Sequence, residues 1–182
     1  LKEVAKKHNT FVTFMPKPTI GDWRSGGHIN FSLEDIKQGK NVFKDGNSWS
    51  KESQYAVGGL LAHSEAITAI TCPTVNSYNG LVPTVGGFEG GVHTWAPVNI
   101  TYGHNNRSAQ FRLPQNRYCI ENRAADLTMN VYLALAMTIS AAVEGINDKT
   151  DPGKPSDIDL YALSDEESKK LGIKRLPRNL LL

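Results

Sequence analysis

The sequence predicts an α+β fold in which several antiparallel strands are backed by helices. Residues 28–33 and 118–124 alternate polar and apolar side chains, as a strand does when one of its faces is buried. Residues 51–71 and 126–146 instead repeat apolar residues at the spacing of one helix face. With 182 residues, 40% of them hydrophobic and 21% charged, the chain has the composition of one globular domain with its own core.

The first elements of the chain are predicted to be a helix end and two strands. Residues 1–8 are amphipathic and charged, as the last turns of a surface helix are. Thr10–Met15 has the composition of a strand, which ends at Pro16 because proline cannot donate to a strand ladder. A turn at Gly21–Gly27 leads into the strand that carries His28.

A long helix is predicted to follow a polar turn at Gly39–Asn47. Ser50 is a favourable N-cap, apolar residues recur at helical spacing as far as Thr71, and Pro73 ends the helix. The pair Gly58-Gly59 weakens this helix locally, which predicts that a neighbouring element packs closely against it.

Residues 76–93 are rich in glycine and are predicted to form a mobile flap. Three strand candidates come next: Trp95–Tyr102, Arg107–Leu113 and Tyr118–Ala124. Asp126 is predicted to open the longest helix, which runs to Ile146. Ser164 and Glu167 have the spacing of a capping box and predict a last short helix.

The charge pattern excludes two classes of partner. The formal net charge is +2 and the 20 Lys and Arg are scattered, so we expect neither nucleic acid nor a membrane surface to bind through a basic patch. No apolar run is long enough to span a bilayer, and nothing at the start resembles a signal peptide. Cys72 and Cys119 lack the C-x-x-C spacing of a zinc site and suit a reducing compartment, which predicts a cytoplasmic protein.

Two of the predicted strands bring together residues that can bind a metal ion and phosphate. The first strand places His28, Asn30 and Ser32 on one face, and the second places Glu121 and Arg123 on one face. Four arginines lie between positions 107 and 123: Arg107, Arg112, Arg117 and Arg123. Guanidinium forks bind phosphate oxygens in bidentate fashion, so several arginines beside one acid indicate a polyphosphate held with a metal.

Structural interpretations of the same residues stay open at this point. A single histidine on a strand is often a hydrogen-bonded structural residue, Glu121 can simply pair with Arg123, and arginines can line a solvated sheet face. Arg107 and Arg112 are also five residues apart, so a regular strand would place them on opposite faces. Either Arg107 precedes the strand or a bulge intervenes.

Short motifs along nearly the whole chain follow one another in a recognisable order. They are Phe14-Met-Pro-Lys-Pro18, Ser25-Gly-Gly-His28 with Ser32, Pro73-Thr-Val-Asn-Ser-Tyr78, Asn106-Arg-Ser-Ala109 with Arg112-Leu-Pro114, Ile120-Glu-Asn-Arg123, Asn130-Val-Tyr-Leu133 and Asp151-Pro-Gly153. In this order they resemble the glutamine synthetase family, in the later part of its catalytic domain. The stretch from Thr94 to Arg107 resembles the γ-glutamyl-amide branch of the family, the methylamide-type ligases.

The resemblance implies that residues 1–182 are the C-terminal portion of a catalytic domain and form part of its barrel. The N-terminal β-grasp domain and the first half of the catalytic domain would then lie outside this chain. His28 and Glu121 match two ligands of a divalent metal ion, Mg²⁺ or Mn²⁺. Ser32 and Asn30 match positions that line the nucleotide site.

The resemblance also implies residues for phosphate transfer. Arg107 and Arg112 match arginines that hold the phosphates of ATP, and Arg123 matches one that contacts the transferred phosphoryl group and the substrate. Glu89, the only acid in the glycine-rich loop, matches the flap glutamate that accepts the proton of the amine.

The implied reaction joins a carboxylate to an amine at the expense of ATP. ATP would phosphorylate glutamate or a related acid to an acyl phosphate, and ammonia or an amine would then displace phosphate. Metal ions and arginines neutralise the charge that spreads over the moving phosphoryl group. The implied assembly is a homo-oligomer, a dodecamer for the full-length protein. The isolated chain is expected to be inactive because half of its site is missing.

Several positions depart from the family pattern. Trp23-Arg24 replaces an Asn-Gly pair, and Asn30 replaces a second histidine of the nucleotide site. Gly80 falls where an arginine grips the α-carboxylate of the substrate, and Cys119 falls where another arginine faces the phosphates. One lost charge-assisted contact costs about 1.5–3 kcal/mol. These differences motivate an alternative, a non-catalytic homologue with a structural or regulatory role.

Overall fold

The computed structural model describes residues 1–85 and 92–180. Its helices are α1 (Lys2–Lys7), α2 (Lys51–Ala62), α3 (Ser64–Thr71), α4 (Val75–Asn79), α5 (Val131–Asp148) and α6 (Asp165–Lys170). Its strands are β1 (Ile29–Phe31), β2 (Glu34–Asp35), β3 (Lys40–Asn41), β4 (Lys44–Asp45), β5 (Ser48–Trp49), β6 (Thr84–Val85), β7 (Val92–His93), β8 (Asn99–His104), β9 (Ala109–Leu113), β10 (Ile120–Asn122) and β11 (Lys174–Arg175). The central sheet has the order β1-β10-β9-β8-β11, and the remaining strands pair in hairpins.

The central sheet is mainly antiparallel, which confirms the predicted fold class. β1 pairs with β10 and β10 with β9 in antiparallel register, whereas β8 and β9 are parallel. The register places Asn30 opposite Glu121 and Glu121 opposite Arg112, so three polar residues form one row across the sheet. Within residues 1–85 and 92–180 the sheet is open and closes no barrel.

The larger of two hydrophobic clusters among the described residues joins the helices to the sheet. Ile67 of α3, Phe111 of β9 and Ile120 of β10 have no solvent exposure and belong to the same cluster. Phe111 and Ile120 alternate along their strands with Arg112 and Glu121. Since successive side chains of a strand point to opposite faces, the face opposite the core carries the polar row.

Helices α2 and α5 approach each other closely at glycines. A Cβ atom added at Gly59 would overlap the carbonyl oxygen of Ala141 and lie 2.8 Å from the Cα atom of Gly145. A Cβ atom at Gly145 would in turn overlap the carbonyl oxygen of Tyr55. The close packing predicted from the Gly58-Gly59 pair is therefore confirmed.

The predicted long helix is two helices in the structure. Its N-cap is confirmed, because the Ser50 side chain accepts a hydrogen bond from the first turn of α2. The prediction of one continuous helix to Thr71 is wrong, since His63 has φ −101° and ψ 14° and separates α2 from α3. Beyond this break the buried Ser64 hydroxyl donates to the side-chain oxygen of Gln110 in β9. The spacing of hydrophobic residues along the sequence could not predict that polar contact with the sheet.

The prediction that Asp126 opens the longest helix is also wrong. The side-chain oxygen of Asn130 caps α5 by accepting hydrogen bonds from the backbone N–H groups of Tyr132 at 3.0 Å and Leu133 at 3.3 Å. Asp126 is fully buried, and its Oδ1 accepts from the backbone N–H of Thr128 at 2.8 Å. Its side chain therefore closes a turn that comes before the helix.

Some predicted strands are shorter than the sequence pattern suggests. Thr10–Met15 is not a strand: among the described strands none pairs with it, and an unpaired segment lacks ladder hydrogen bonds. β8 begins at Asn99 rather than at Trp95, whose φ of 55° lies outside the strand region. β9 begins at Ala109, so Arg107 lies on the turn before it.

The predicted glycine-rich loop, residues 76–93, contains most of α4 and the paired strands β6 and β7, while residues 86–91 lie outside the described residues. The last predicted helix is confirmed, because Ser164 and Glu167 form a reciprocal capping box at the start of α6. Across the described ranges, no helix combines the length and the apolar character that crossing a bilayer requires.

Candidate active site

Glu121 is the centre of a charged cluster on the polar face of the sheet. It lies on β10, between β1 and β9, and is 5% exposed. Its Oε1 lies 3.1 Å from Nδ1 of His28 and 3.2 Å from Nη1 of Arg123. Its Oε2 lies 2.9 Å from Nη1 of Arg112. The structure thus brings together imidazole, carboxylate and guanidinium groups that the sequence distributes over three predicted strands.

The strand register explains why these side chains meet. Asn30 lies opposite Glu121, and His28 precedes Asn30 by two residues, so the imidazole is on the same face. Arg112 lies opposite Glu121 on the other neighbouring strand. Arg123 follows Glu121 by two residues and shares its face.

The charge of Glu121 is set by opposing effects. Burial of the carboxyl group raises its pKa, because a buried carboxylate loses water. Hydrogen bonds from His28 and Arg112, together with the charges of Arg123 and His28, outweigh burial and lower the pKa to about 2. The group is therefore ionised throughout the neutral range and loses its charge only in strong acid.

Arg123 is held in one orientation by three acceptors. Besides Glu121, the guanidinium donates from Nε to the backbone oxygen of Arg107 at 3.0 Å and from Nη2 to that of Trp95 at 3.1 Å. The Arg107 side chain is itself exposed and precedes β9. Arg107 therefore precedes the strand, and no bulge is needed to explain its five-residue spacing from Arg112. Its backbone carbonyl group, and not its side chain, contacts the cluster.

The remaining residues of the predicted site are Asn30, Ser32 and Glu89. The Oδ1 of Asn30 accepts a hydrogen bond from Nη2 of Arg117 at 2.9 Å and lies 3.9 Å from Sγ of Cys119. Ser32 is exposed and follows the end of β1. Glu89 lies outside the described residues. Arg117 is one of the four arginines clustered in the sequence, but no motif assigns it a role.

Arg24 and Gly80, which both depart from the family pattern, lie next to each other in the structure. A Cβ atom added at Gly80 would lie 2.9 Å from Cβ and 3.1 Å from Cδ of Arg24. The Arg24 side chain therefore fills the space that a side chain at position 80 would need. Its Nη2 donates to the backbone oxygen of Ala124 at 3.0 Å and lies 3.7 Å from Oδ2 of Asp126. In the sequence, the signal was an unexpected arginine at position 24 and an unexpected glycine at position 80. That pattern did not indicate that the two residues lie side by side.

Replacing Arg24 with methionine is expected to destabilise the protein by about 3–5 kcal/mol. The Asp126 carboxylate is fully buried, and the substitution removes the cation beside it. Urea unfolding measures the loss. The double variant R24M/D126N should recover part of it, since a neutral amide costs less to bury than an unpaired carboxylate.

The exposed Arg178 provides the control for this substitution, because Arg178→Met changes the same side chain without removing a buried ion pair. Equal unfolding midpoints for the R24M and R178M variants would contradict a stabilising role for Arg24.

His28 and Glu121 fit part of a site for a hard divalent metal ion. Two ligand atoms bound at about 2.0–2.2 Å in perpendicular directions lie about 3 Å apart, and the Nδ1–Oε1 distance here is 3.1 Å. Over residues 1–85 and 92–180, no group of three or more His, Cys, Asp or Glu side chains could hold a metal. The pair therefore fits an incomplete ligand set, and its metal-binding role stays a prediction.

The sheet and its helices have the fold of a known catalytic domain. Residues 1–181 match the family model described as the glutamine synthetase catalytic domain, so the chain belongs to the glutamine synthetase family. The glutamine synthetase of Methanosarcina mazei is 43% identical over 99% of this chain and 39% of its own length. That of Aquifex aeolicus is 44% identical over 99% of this chain and 37% of its own length. The chain thus spans about two fifths of the length of these curated relatives.

Two solved structures have the same fold. A GmaS complex with ADP has a TM-score of 0.84 and 38% identity, and the match covers 99% of this chain and 40% of that chain. Apo GmaS has a TM-score of 0.81 and 35% identity, with 99% and 39% covered. GmaS is γ-glutamylmethylamide synthetase, a member of the glutamine synthetase family. The family predicted from the ordered motifs is confirmed.

Proposed function

We propose that this chain is the later part of the catalytic domain of an ATP-dependent ligase. The enzyme would join a carboxylate of glutamate or a related acid to ammonia or an amine. The observation that carries the proposal is the buried Glu121 carboxylate, which is held between one imidazole and two guanidinium groups on one sheet face. Such a cluster can hold the phosphate groups of ATP beside a carboxylate substrate.

The proposed reaction has two steps. In the first, a carboxylate oxygen of the acid attacks the γ-phosphorus of ATP, the bond to ADP breaks, and an acyl phosphate forms. In the second, the amine nitrogen attacks the acyl carbon, phosphate leaves with its bonding electrons, and the nitrogen loses a proton to give the amide. Each step moves negative charge over phosphoryl oxygens, where positive groups stabilise the transition state.

The two guanidinium groups would supply that stabilisation. Arg123 is fixed by two backbone carbonyl groups as well as by Glu121, so it needs little rearrangement when charge develops. Arg112 is held by Glu121 and by the side-chain oxygen of Asn105. Fixed donors of this kind contribute more than flexible ones, because their orientation is established before the reaction begins.

His28 and Glu121 are the residues that would hold a divalent ion, Mg²⁺ or Mn²⁺, and the remaining ligands would come from protein outside this chain. The lowered pKa of Glu121 keeps its carboxylate available to a cation at neutral pH. When bound, such an ion neutralises phosphate charge and orients the nucleotide.

The remaining assignments complete the proposal. Ser32 and Asn30 would line the nucleotide site, Arg107 would contact phosphate, and Glu89 would accept the proton of the amine. The full-length enzyme would be a cytoplasmic homo-oligomer, a dodecamer, that acts on small molecules and has no nucleic-acid or membrane partner.

The amine is proposed to include small primary amines as well as ammonia. The stretch from Thr94 to Arg107 resembles the γ-glutamyl-amide branch, and both similar solved structures carry the name GmaS. The curated relatives, in contrast, are named glutamine synthetase. Substrate choice therefore needs a direct comparison of ammonia with amines.

Phosphate release by the full-length protein tests the proposal. The protein is incubated with ATP, Mn²⁺ and glutamate, and then with ammonia, methylamine or ethanolamine in turn. Phosphate release that requires both the acid and an amine, with a matching amide detected by mass spectrometry, is the expected result. Absence of ATP and Mn²⁺ binding by calorimetry would overturn the proposal.

A second candidate function is a homologue that assembles but does not catalyse. The observation that favours it is the space beside Gly80, which the Arg24 side chain fills. This candidate predicts a folded, assembled protein that releases no phosphate with any acid and amine tested. Turnover with a single pair would remove it.

A further inference from the structure

Arg117 is an arginine whose position no sequence motif explains. It lies in the turn between β9 and β10, and its Nη2 donates to Oδ1 of Asn30 at 2.9 Å. Asn30 lies opposite Glu121 in the row that continues to Arg112. The Arg117 guanidinium is therefore held at the same sheet face as the charged cluster, from the turn that connects two of its strands.

Arg117 differs from the other arginines of this face in its charge environment. Arg112 and Arg123 both form ion pairs with Glu121. Arg117 is exposed, and in the described ranges no carboxylate lies within ion-pair distance of it. Its positive charge is thus compensated by no acid there, and it is open to an anion from solution.

Asn30 holds Arg117 in place without neutralising its positive charge. An asparagine oxygen accepts a hydrogen bond from a guanidinium group and carries no charge of its own. The bond to Asn30 uses one of the five N–H donors of arginine, so donors remain for a ligand. Cys119, whose Sγ lies 3.9 Å from the same oxygen, adds no competing acid.

We propose that Arg117 is a further nucleotide-binding residue, which donates to a phosphate group of ATP and is positioned by Asn30. This inference rests on the proposed function, because it places the nucleotide on the face that holds Glu121. A guanidinium fork is suited to phosphate oxygens, and a tethered fork loses less freedom on binding than a free one.

Titration calorimetry with ATP and with adenosine on the full-length protein tests the inference. Arg117→Gln should weaken ATP binding about tenfold to a hundredfold and leave adenosine binding unchanged, because adenosine has no phosphate. Arg178→Gln, at another exposed arginine, should leave both affinities unchanged. Equal ATP affinity in wild type and the R117Q variant would overturn the inference, as would an equal loss for adenosine.

A double-mutant cycle tests the positioning role of Asn30. Asn30→Ala should weaken ATP binding more in the wild-type background than in the R117Q background, since part of its effect acts through Arg117. Additive losses would contradict that role. Wild-type protein that binds no ATP would overturn the proposed function and this inference together, whereas ATP binding insensitive to R117Q would overturn this inference alone.

Discussion

Replacing Glu121 with glutamine is expected to lower turnover by the full-length protein at least about a hundredfold. Glutamine keeps the size of the side chain but removes the negative charge that His28, Arg112 and Arg123 surround. The two guanidinium groups then lose their common partner, and the proposed metal site loses a ligand. Steady-state phosphate release measures the effect, and circular dichroism reports whether the fold is retained.

Glu144 is the matched control for this substitution. It also lies beside a histidine, with Oε1 2.9 Å from Nε2 of His63, but its side chain is 58% exposed and on α5. Glu144→Gln should leave turnover within about twofold of wild type, because exposed pairs contribute little. An E121Q enzyme as active as the E144Q enzyme would contradict the central role of Glu121.

Replacing Gly59 with alanine is expected to destabilise the protein by about 3 kcal/mol. The added methyl group would overlap the backbone of α5 at Ala141 and Gly145, and backbone cannot move aside as a side chain can. Helix propensity alone would favour alanine by about 1 kcal/mol, so the sign of the effect tests the packing directly. Chemical unfolding of the full-length protein gives the free energy.

Gln54 is the control, because it lies on the exposed side of the same helix. Gln54→Ala should change the free energy of unfolding by less than about 0.5 kcal/mol. A G59A variant more stable than wild type would mean that α2 and α5 do not approach as closely as the structure has them.

Much of the fold could be predicted because its determinants are local. A capping hydroxyl at Ser50, a capping box at Ser164 and the alternation along β1 and β10 can be read from neighbouring residues. The break at His63 could not, because α3 makes a polar contact with β9 that is distant in sequence. The prediction that a helix begins at Asp126 was wrong for a similar reason. Aspartate is a common helix N-cap, but its side chain can equally close a buried turn.

The sequence predicted which types of residue form the candidate site better than it predicted which of them are in contact. Strand alternation placed His28 with one polar face and Glu121 with another, and the register then joined them. The contact between Arg24 and Gly80 depends on packing between segments far apart in the chain. Arg117 likewise acquires its position from a turn and a distant asparagine, which residue spacing does not encode.

Following oxygen atoms tests the proposed ligase reaction most directly. The full-length enzyme is given ATP, Mn²⁺, an amine, and glutamate with ¹⁸O in both oxygens of its side-chain carboxylate. Attack of that carboxylate on the γ-phosphorus predicts one ¹⁸O atom in each inorganic phosphate released and one in the amide. Phosphate that contains no ¹⁸O while the amide accumulates would contradict an acyl phosphate at this site.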